Sequence, residues 1–151
     1  MGKILNIYMI IVIIISITIM IIDIKKLEIP NILNVALLMI GILYRGTVYG
    51  EMEQGLIGAG LYTLPAIIIY GYTSDMLDRD AIGMGDVKLL IGIGYINGYK
   101  GLYDIYLFYF AAFMIASVFV IIHRFLLNKK THEIPFSPFL LIAFLYQMVI
   151  I

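Results

Sequence analysis

Residues 4–22 read ILNIYMIIVIIISITIMII, and Asp23-Ile24-Lys25-Lys26 follows at once. The run is 19 residues long and is broken only by Asn6, Ser16 and Thr18. About 20 apolar residues in a helix span the hydrocarbon core of a bilayer. A secretory signal is the other reading of an N-terminal apolar run preceded by Lys3. Its apolar core is shorter, about 7–15 residues, and ends at small residues rather than at two lysines. The stretch therefore reads as a permanent first membrane helix.

The rest of the chain agrees with that beginning. Of its 151 residues, 63% are hydrophobic and 13% charged, and the mean hydropathy is +1.05. A soluble domain is about 45–50% apolar and about 25% charged, so this chain could not cover its surface with polar groups. A soluble enzyme, a disordered tail and a free nucleic-acid binder are excluded. The formal net charge is zero, so no global field steers a partner. The absence of cysteine removes disulfides, thiolate metal sites and a cysteine nucleophile. With two histidines, His123 and His132, no metal or cofactor is expected, and hydrolytic chemistry would rest on carboxylates.

Five more apolar runs follow. The second begins at Pro30, suited to a first helical turn, and reaches about Tyr44. The third covers Gly55 to about Tyr72, with a kink expected at Pro65. The fourth starts after Asp86 and ends near Ile96; its Gly94 and Gly98 form a small-residue pair that lets another helix come close. The fifth covers about Leu102 to Ile122, and the sixth begins near Pro138 with Ser137 as its N-cap. The expectation is an all-α, polytopic membrane protein with six transmembrane helices in one domain, 1–151. The apolar cores of helices two, four and six are short. Either the bilayer thins around them or their ends lie inside protein around a watery cavity.

Six spans place Lys3, Arg45 and Lys100 on one side. Lys25, Lys26, Arg79, Lys88, Arg124, Lys129 and Lys130 lie on the other. The positive-inside rule makes the richer side cytoplasmic and both termini external. Asp23 then ends an inward-running helix and Asp86 begins an outward-running one, at the same face and depth. Two carboxylates held close share a proton. The ionised one can take a proton from water while the other polarises a carbonyl, which is metal-free general acid–base hydrolysis. The pair titrates as a unit, so neither residue has a fixed role. Lys26 and Lys88 lie near enough in sequence to tune it. The plain alternatives are an N-cap for Asp86 and a helix-end charge seeking the interface for Asp23.

Gly83-Met84-Gly85-Asp86 is a GxGD run, followed by Val87-Lys88-Leu89. It resembles the second catalytic motif of the type IV prepilin peptidase family. Asp23 with Lys25-Lys26-Leu27-Glu28-Ile29-Pro30-Asn31 resembles the first. Ile134-Pro135-Phe136-Ser137-Pro138-Phe139-Leu140 is similar to the family's IPFGPFL stretch, with Ser137 where Gly is usual. The resemblance implies an inner-membrane aspartic endopeptidase that removes the short basic leader of prepilins or pseudopilins at the cytoplasmic face. It implies Asp23 and Asp86 as catalytic residues. Gly83 and Gly85 would allow close backbone approach, and Lys26, Lys88, Pro30 and Asn31 would support the motifs. Many bacterial members carry a cysteine-rich domain linked to N-methylation; here a peptidase-only form is expected. The presenilin and signal-peptide-peptidase class shares GxGD, but its first Asp follows a Tyr. The only Tyr-Asp here is Tyr103-Asp104, after the GxGD.

Between helices three and four, Asp75, Asp78 and Asp80 form an acidic loop that suits a basic leader; the plain reading is a solvated loop. Tyr62, Tyr70, Tyr72, Tyr95, Tyr99, Tyr103 and Tyr106 lie mostly near span ends, as interfacial anchors do. The rival function is a small transporter or channel subunit with the aspartates as ion or proton sites. That reading expects midmembrane carboxylates on broken helices, or an inverted repeat.

Overall fold

A computed structural model describes residues 2–77, 82–127 and 134–150. The helices are α1 (Gly2–Lys26), α2 (Asn31–Tyr44), α3 (Met52–Leu77), α4 (Met84–Asn97), α5 (Leu102–Leu127) and α6 (Ser137–Ile150). The chain is thus all-α. Four stretches, Leu5–Lys26, Asn31–Tyr49, Met52–Asp75 and Leu102–Phe125, are long and apolar enough to cross a membrane. Isoleucine-rich α1 is a poor helix former in water. In lipid the backbone has no other partner for its N–H and C=O groups, and the helix prevails. Lys25 and Lys26 in its last turn complement the dipole.

Several boundaries move from the sequence expectation for identifiable reasons. Pro30 stands one residue ahead of α2, at φ −61 and ψ 127. Its carbonyl accepts the N–H groups of Leu33 and Asn34 at 3.0 and 3.4 Å. α2 does not stop at Tyr44, because one π-helical turn, Arg45–Tyr49, continues it to Gly50 at φ 68. That turn gives the second span its length. α3 passes through Pro65 without ending, as membrane helices tolerate when neighbours satisfy the freed groups. In α6 the Phe136 carbonyl accepts the first helical bonds, from Phe139 and Leu140. Ser137 is therefore inside the helix and does not cap it; its Oγ is buried without a partner.

α4 is the centre of the bundle, packed against α2, α3 and α6. Its 14 residues make a rod of about 21 Å, short of the roughly 30 Å hydrocarbon core. It need not face lipid along its length, because Val87, Leu89, Leu90, Ile93, Tyr95 and Ile96 are all buried. The expected small-residue face is present on α4, and its partner is Gly58 of α3. A Cβ on Gly94 would stand 2.6 Å from the Gly58 carbonyl oxygen. Most of the large exposed apolar side chains lie on the outer helices, among them Ile14, Ile17 and Ile21 of α1 and Phe110, Val118 and Ile122 of α5.

At the end of the bundle remote from Asp86, the Arg45 guanidinium donates to the carbonyls of Ile96 at 3.2 Å and Asn97 at 2.7 Å. It thereby satisfies acceptors that the last turn of α4 leaves open. Gln147 of α6 accepts from Asn97 at 2.9 Å and from the Tyr62 hydroxyl at 3.3 Å, and donates to the Asp104 carbonyl at 2.8 Å. Tyr62 and Tyr95 are accordingly buried. They are core residues and not interfacial anchors, whereas Tyr72, Tyr103 and Tyr106 are well exposed.

Candidate active site

The α1–α2 link and the first turn of α4 enclose a cavity of about 320 Å³. Asp23, Leu27, Glu28, Ile29 and Asn31 line one side; Gly83, Met84, Gly85, Asp86 and Lys88 line the other. Asp23 and Asp86 therefore come from the end of one helix and the start of another into a single space. Only 6% of Asp23 and 7% of Asp86 is exposed. Buried carboxylates without a cationic partner are uncommon and mark functional sites more often than structural ones.

Local chain geometry explains how they arrive there. Asp23 lies in the last turn of α1, where its carbonyl accepts the Leu27 N–H at 2.8 Å. The chain then turns through Leu27 at φ 53, and Ile29 is buried beneath Gly85. A Cβ on Gly85 would stand 3.3 Å from the Ile29 Cβ, closer than such contacts usually allow. Glycine there lets the α1–α2 link press against α4. Gly83 is different: its φ of −69 suits any residue, and an added Cβ would meet Asp86 Oδ2 at an ordinary 3.6 Å.

Asp86 is the third residue of α4 and not its N-cap, a position that Gly83 occupies. The Gly83 carbonyl accepts the Asp86 N–H at 3.0 Å, and the Gly83 backbone in turn hydrogen-bonds the Asp86 carboxyl. This return bond is the third-residue half of a capping box. Asp86 Oδ1 is buried without a partner. Asp86 precedes the apolar part of α4 and is buried within the protein. Burial, then the negative charge of Asp23, push that carboxyl up to about 7, against the smaller opposing pull of the Gly83 backbone. A carboxyl in that range holds a proton beside an acidic neighbour and can give it up near neutrality.

Around the pair, Lys88 Nζ donates to Asn31 Oδ1 at 3.0 Å and bridges the starts of α2 and α4. Lys26 is exposed, and neither it nor Pro30 is in the cavity lining. Asp75 is exposed at the end of α3 and also outside the lining, while Asp78 and Asp80 lie outside the described residues. Residues 134–140 do not line the cavity either. Sequence reasoning passed over two contributors. Glu28 lines the cavity, and Asn34 of α2, buried, donates to the Gly85 carbonyl at 3.4 Å. A signal for Asn34 existed: it is a polar residue in an apolar run, one helical turn after Asn31 and on its face. Among the described residues no three of His, Cys, Asp and Glu gather as a metal would need.

Comparison with known proteins bears on this geometry. A prepilin leader peptidase/N-methyltransferase of Pectobacterium carotovorum subsp. carotovorum is 30% identical over 132 residues, 85% of this chain and 46% of that protein. The chain thus spans about half the length of the curated relative it matches. No solved structure matches it. The family model described as type IV leader peptidase matches residues 10–123, a segment that contains both buried aspartates, the α1–α2 link and all of α4. By that match the chain belongs to the type IV leader peptidase family.

Proposed function

We propose that this protein is a membrane aspartic endopeptidase that cleaves the short basic leader from prepilin or pseudopilin substrates. Asp23 and Asp86 share one proton and activate a water molecule. The ionised carboxylate draws a proton from the water, and the protonated one hydrogen-bonds the scissile carbonyl oxygen as the tetrahedral intermediate forms. That proton then passes to the departing amine, so no metal and no covalent enzyme intermediate enter the sequence of steps. One observation carries the reading: two buried carboxylates, from helices far apart in the chain, line one cavity. The proposal covers peptide cleavage and not methyl transfer. It is tested by co-expressing the chain with a prepilin-like protein and following leader removal by mass.

The pH profile follows from the pair. The acid component is present while Asp86 keeps its proton, so on the alkaline side cleavage falls as pH rises through about 7. Initial rates from about pH 6 to about pH 9 should fall close to tenfold per unit on the alkaline side. A flat profile over that range would remove the shared proton from the mechanism.

The site also has an expected side. We place the cavity at the cytoplasmic face of the inner membrane, with both termini outside, since the segments that helix counting assigns to its side carry most of the Lys and Arg residues in the sequence. Lys25→Cys should react with a membrane-impermeant maleimide only after the cytoplasmic side is opened. Lys100→Cys, exposed beside the Arg45 cluster, should react in intact cells. Labelling of both from one side would refute the arrangement.

A further inference from the structure

We infer that Glu28 recognises a cationic side chain of the substrate that lies within a few residues of the bond that is cut. The inference rests on the peptidase reading above and deepens it.

Glu28 lines the same cavity as the two aspartates. Its side chain is exposed and has no hydrogen bond or ion pair among the described residues. The lining holds three carboxylates, from Asp23, Glu28 and Asp86, and one ammonium, from Lys88. Asn31 already engages that ammonium, and Lys25 and Lys26 stay outside the lining. With one proton on the aspartate pair, two negative charges still oppose one positive. Such a space draws cationic groups and repels acidic ones.

The backbone fixes Glu28 where this charge can be used. On one side is Leu27, at φ 53 in the left-handed region that Leu rarely enters, tied by its N–H to the Asp23 carbonyl. On the other side is Ile29, buried against Gly85, and then Pro30 with its fixed φ. Strain of this kind persists only where the surroundings over-determine it, and it gathers at functional sites. Glu28 is thus a fixed point on a strap whose two ends touch Asp23 and the GxGD turn.

Glu28 and the two aspartates share one space of about 320 Å³, and an extended residue covers about 3.3–3.6 Å, so a side chain that meets Glu28 belongs to a residue within a few positions of the reacting carbonyl. Asp75, one of the three loop aspartates that the sequence offered for leader attraction, is outside the lining.

The test uses the full chain in detergent and prepilin-like substrates with a single Lys at each of the three residues on either side of the cleaved bond in turn, with Gln and Glu versions at the position that Glu28 reads. Glu28→Gln should raise KM for the Lys substrate about fivefold, the range of an exposed ion pair. It should leave kcat within about twofold and leave the Gln substrate unaffected, which also reports that the variant is folded. Glu28→Lys should cleave the Glu substrate about fivefold better than the wild type does. An equal change on the Lys and Gln substrates, or no change on either, overturns the Glu28 assignment. The peptidase reading survives that result if Asp23→Asn and Asp86→Asn are inactive in the same assay. Full activity in those two variants overturns both.

Discussion

Asp23→Asn and Asp86→Asn should each reduce leader cleavage by at least about a thousandfold, the middle of the range for positioned acid–base groups. That corresponds to about 4 kcal/mol of barrier. Asparagine keeps the shape of the side chain and an acceptor for the Gly83 backbone bond, but it can neither give nor take the shared proton. It also removes a buried charge, so both variants should reach the membrane at wild-type levels and unfold at or above the wild-type temperature. The double variant should be no worse than either single one, because the two carboxyls act as a unit. Quantitative mass analysis of substrate after co-expression is the measurement. Cleavage within tenfold of wild type in either variant would remove the pair from the mechanism.

How legible the site was depends on what kind of information placed each residue. Counting helices puts Asp23 and Asp86 at the same end of the bundle, and an apolar run declares its own length, so both aspartates were accessible without coordinates. The neighbours of each helix are not written in the same way. Apolar side chains cover nearly every face of α1, α3 and α5, so periodicity does not say which face meets protein and which meets lipid. That is why Tyr62 and Tyr95 read as interfacial anchors until α4 is seen at the centre. The Arg45 contacts were invisible for a related reason. A lone Arg beyond an apolar run looks like a loop charge, and only the meeting of α2 with the end of α4 turns it into a buried donor for Ile96 and Asn97. Glu28 was passed over because the lysines beside it drew the charge argument, although the turn between Asp23 and Pro30 leaves it facing the cavity. Ser137 misled through a sound rule: Ser before Pro is a good N-cap, but Phe136 supplies the first accepting carbonyl instead.

Gly58→Ala should lower the midpoint of thermal unfolding by about 10 °C in detergent, and Gly58→Leu should prevent accumulation of folded protein. The argument is steric. A Cβ on Gly58 would stand 2.7 Å from both the Cα and the carbonyl carbon of Gly98 and would collide with the Gly94 carbonyl oxygen. These are backbone atoms and cannot swing aside as the tip of a side chain can. Helix α4 or helix α3 must move as a body. Between helices in lipid, where apolar side chains gain nothing by avoiding the solvent, close backbone approach at small residues is a principal source of attraction. Overpacking typically costs about 1–3 kcal/mol. At the upper end of that range, the scale of about 2–4 °C per kcal/mol for a chain of this size gives the stated shift. Gly60→Ala is the internal control, since nothing lies within 4 Å of its added Cβ. It should be neutral or slightly stabilising through helix propensity. The consequence reaches the site, because α4 carries Asp86. Gly58→Ala should lose cleavage and stability together, whereas Asp86→Asn should lose cleavage alone. A Gly58→Ala protein that melts within about 2 °C of the wild type would show that α3 and α4 do not touch backbone to backbone. The central position of α4 would then need another explanation.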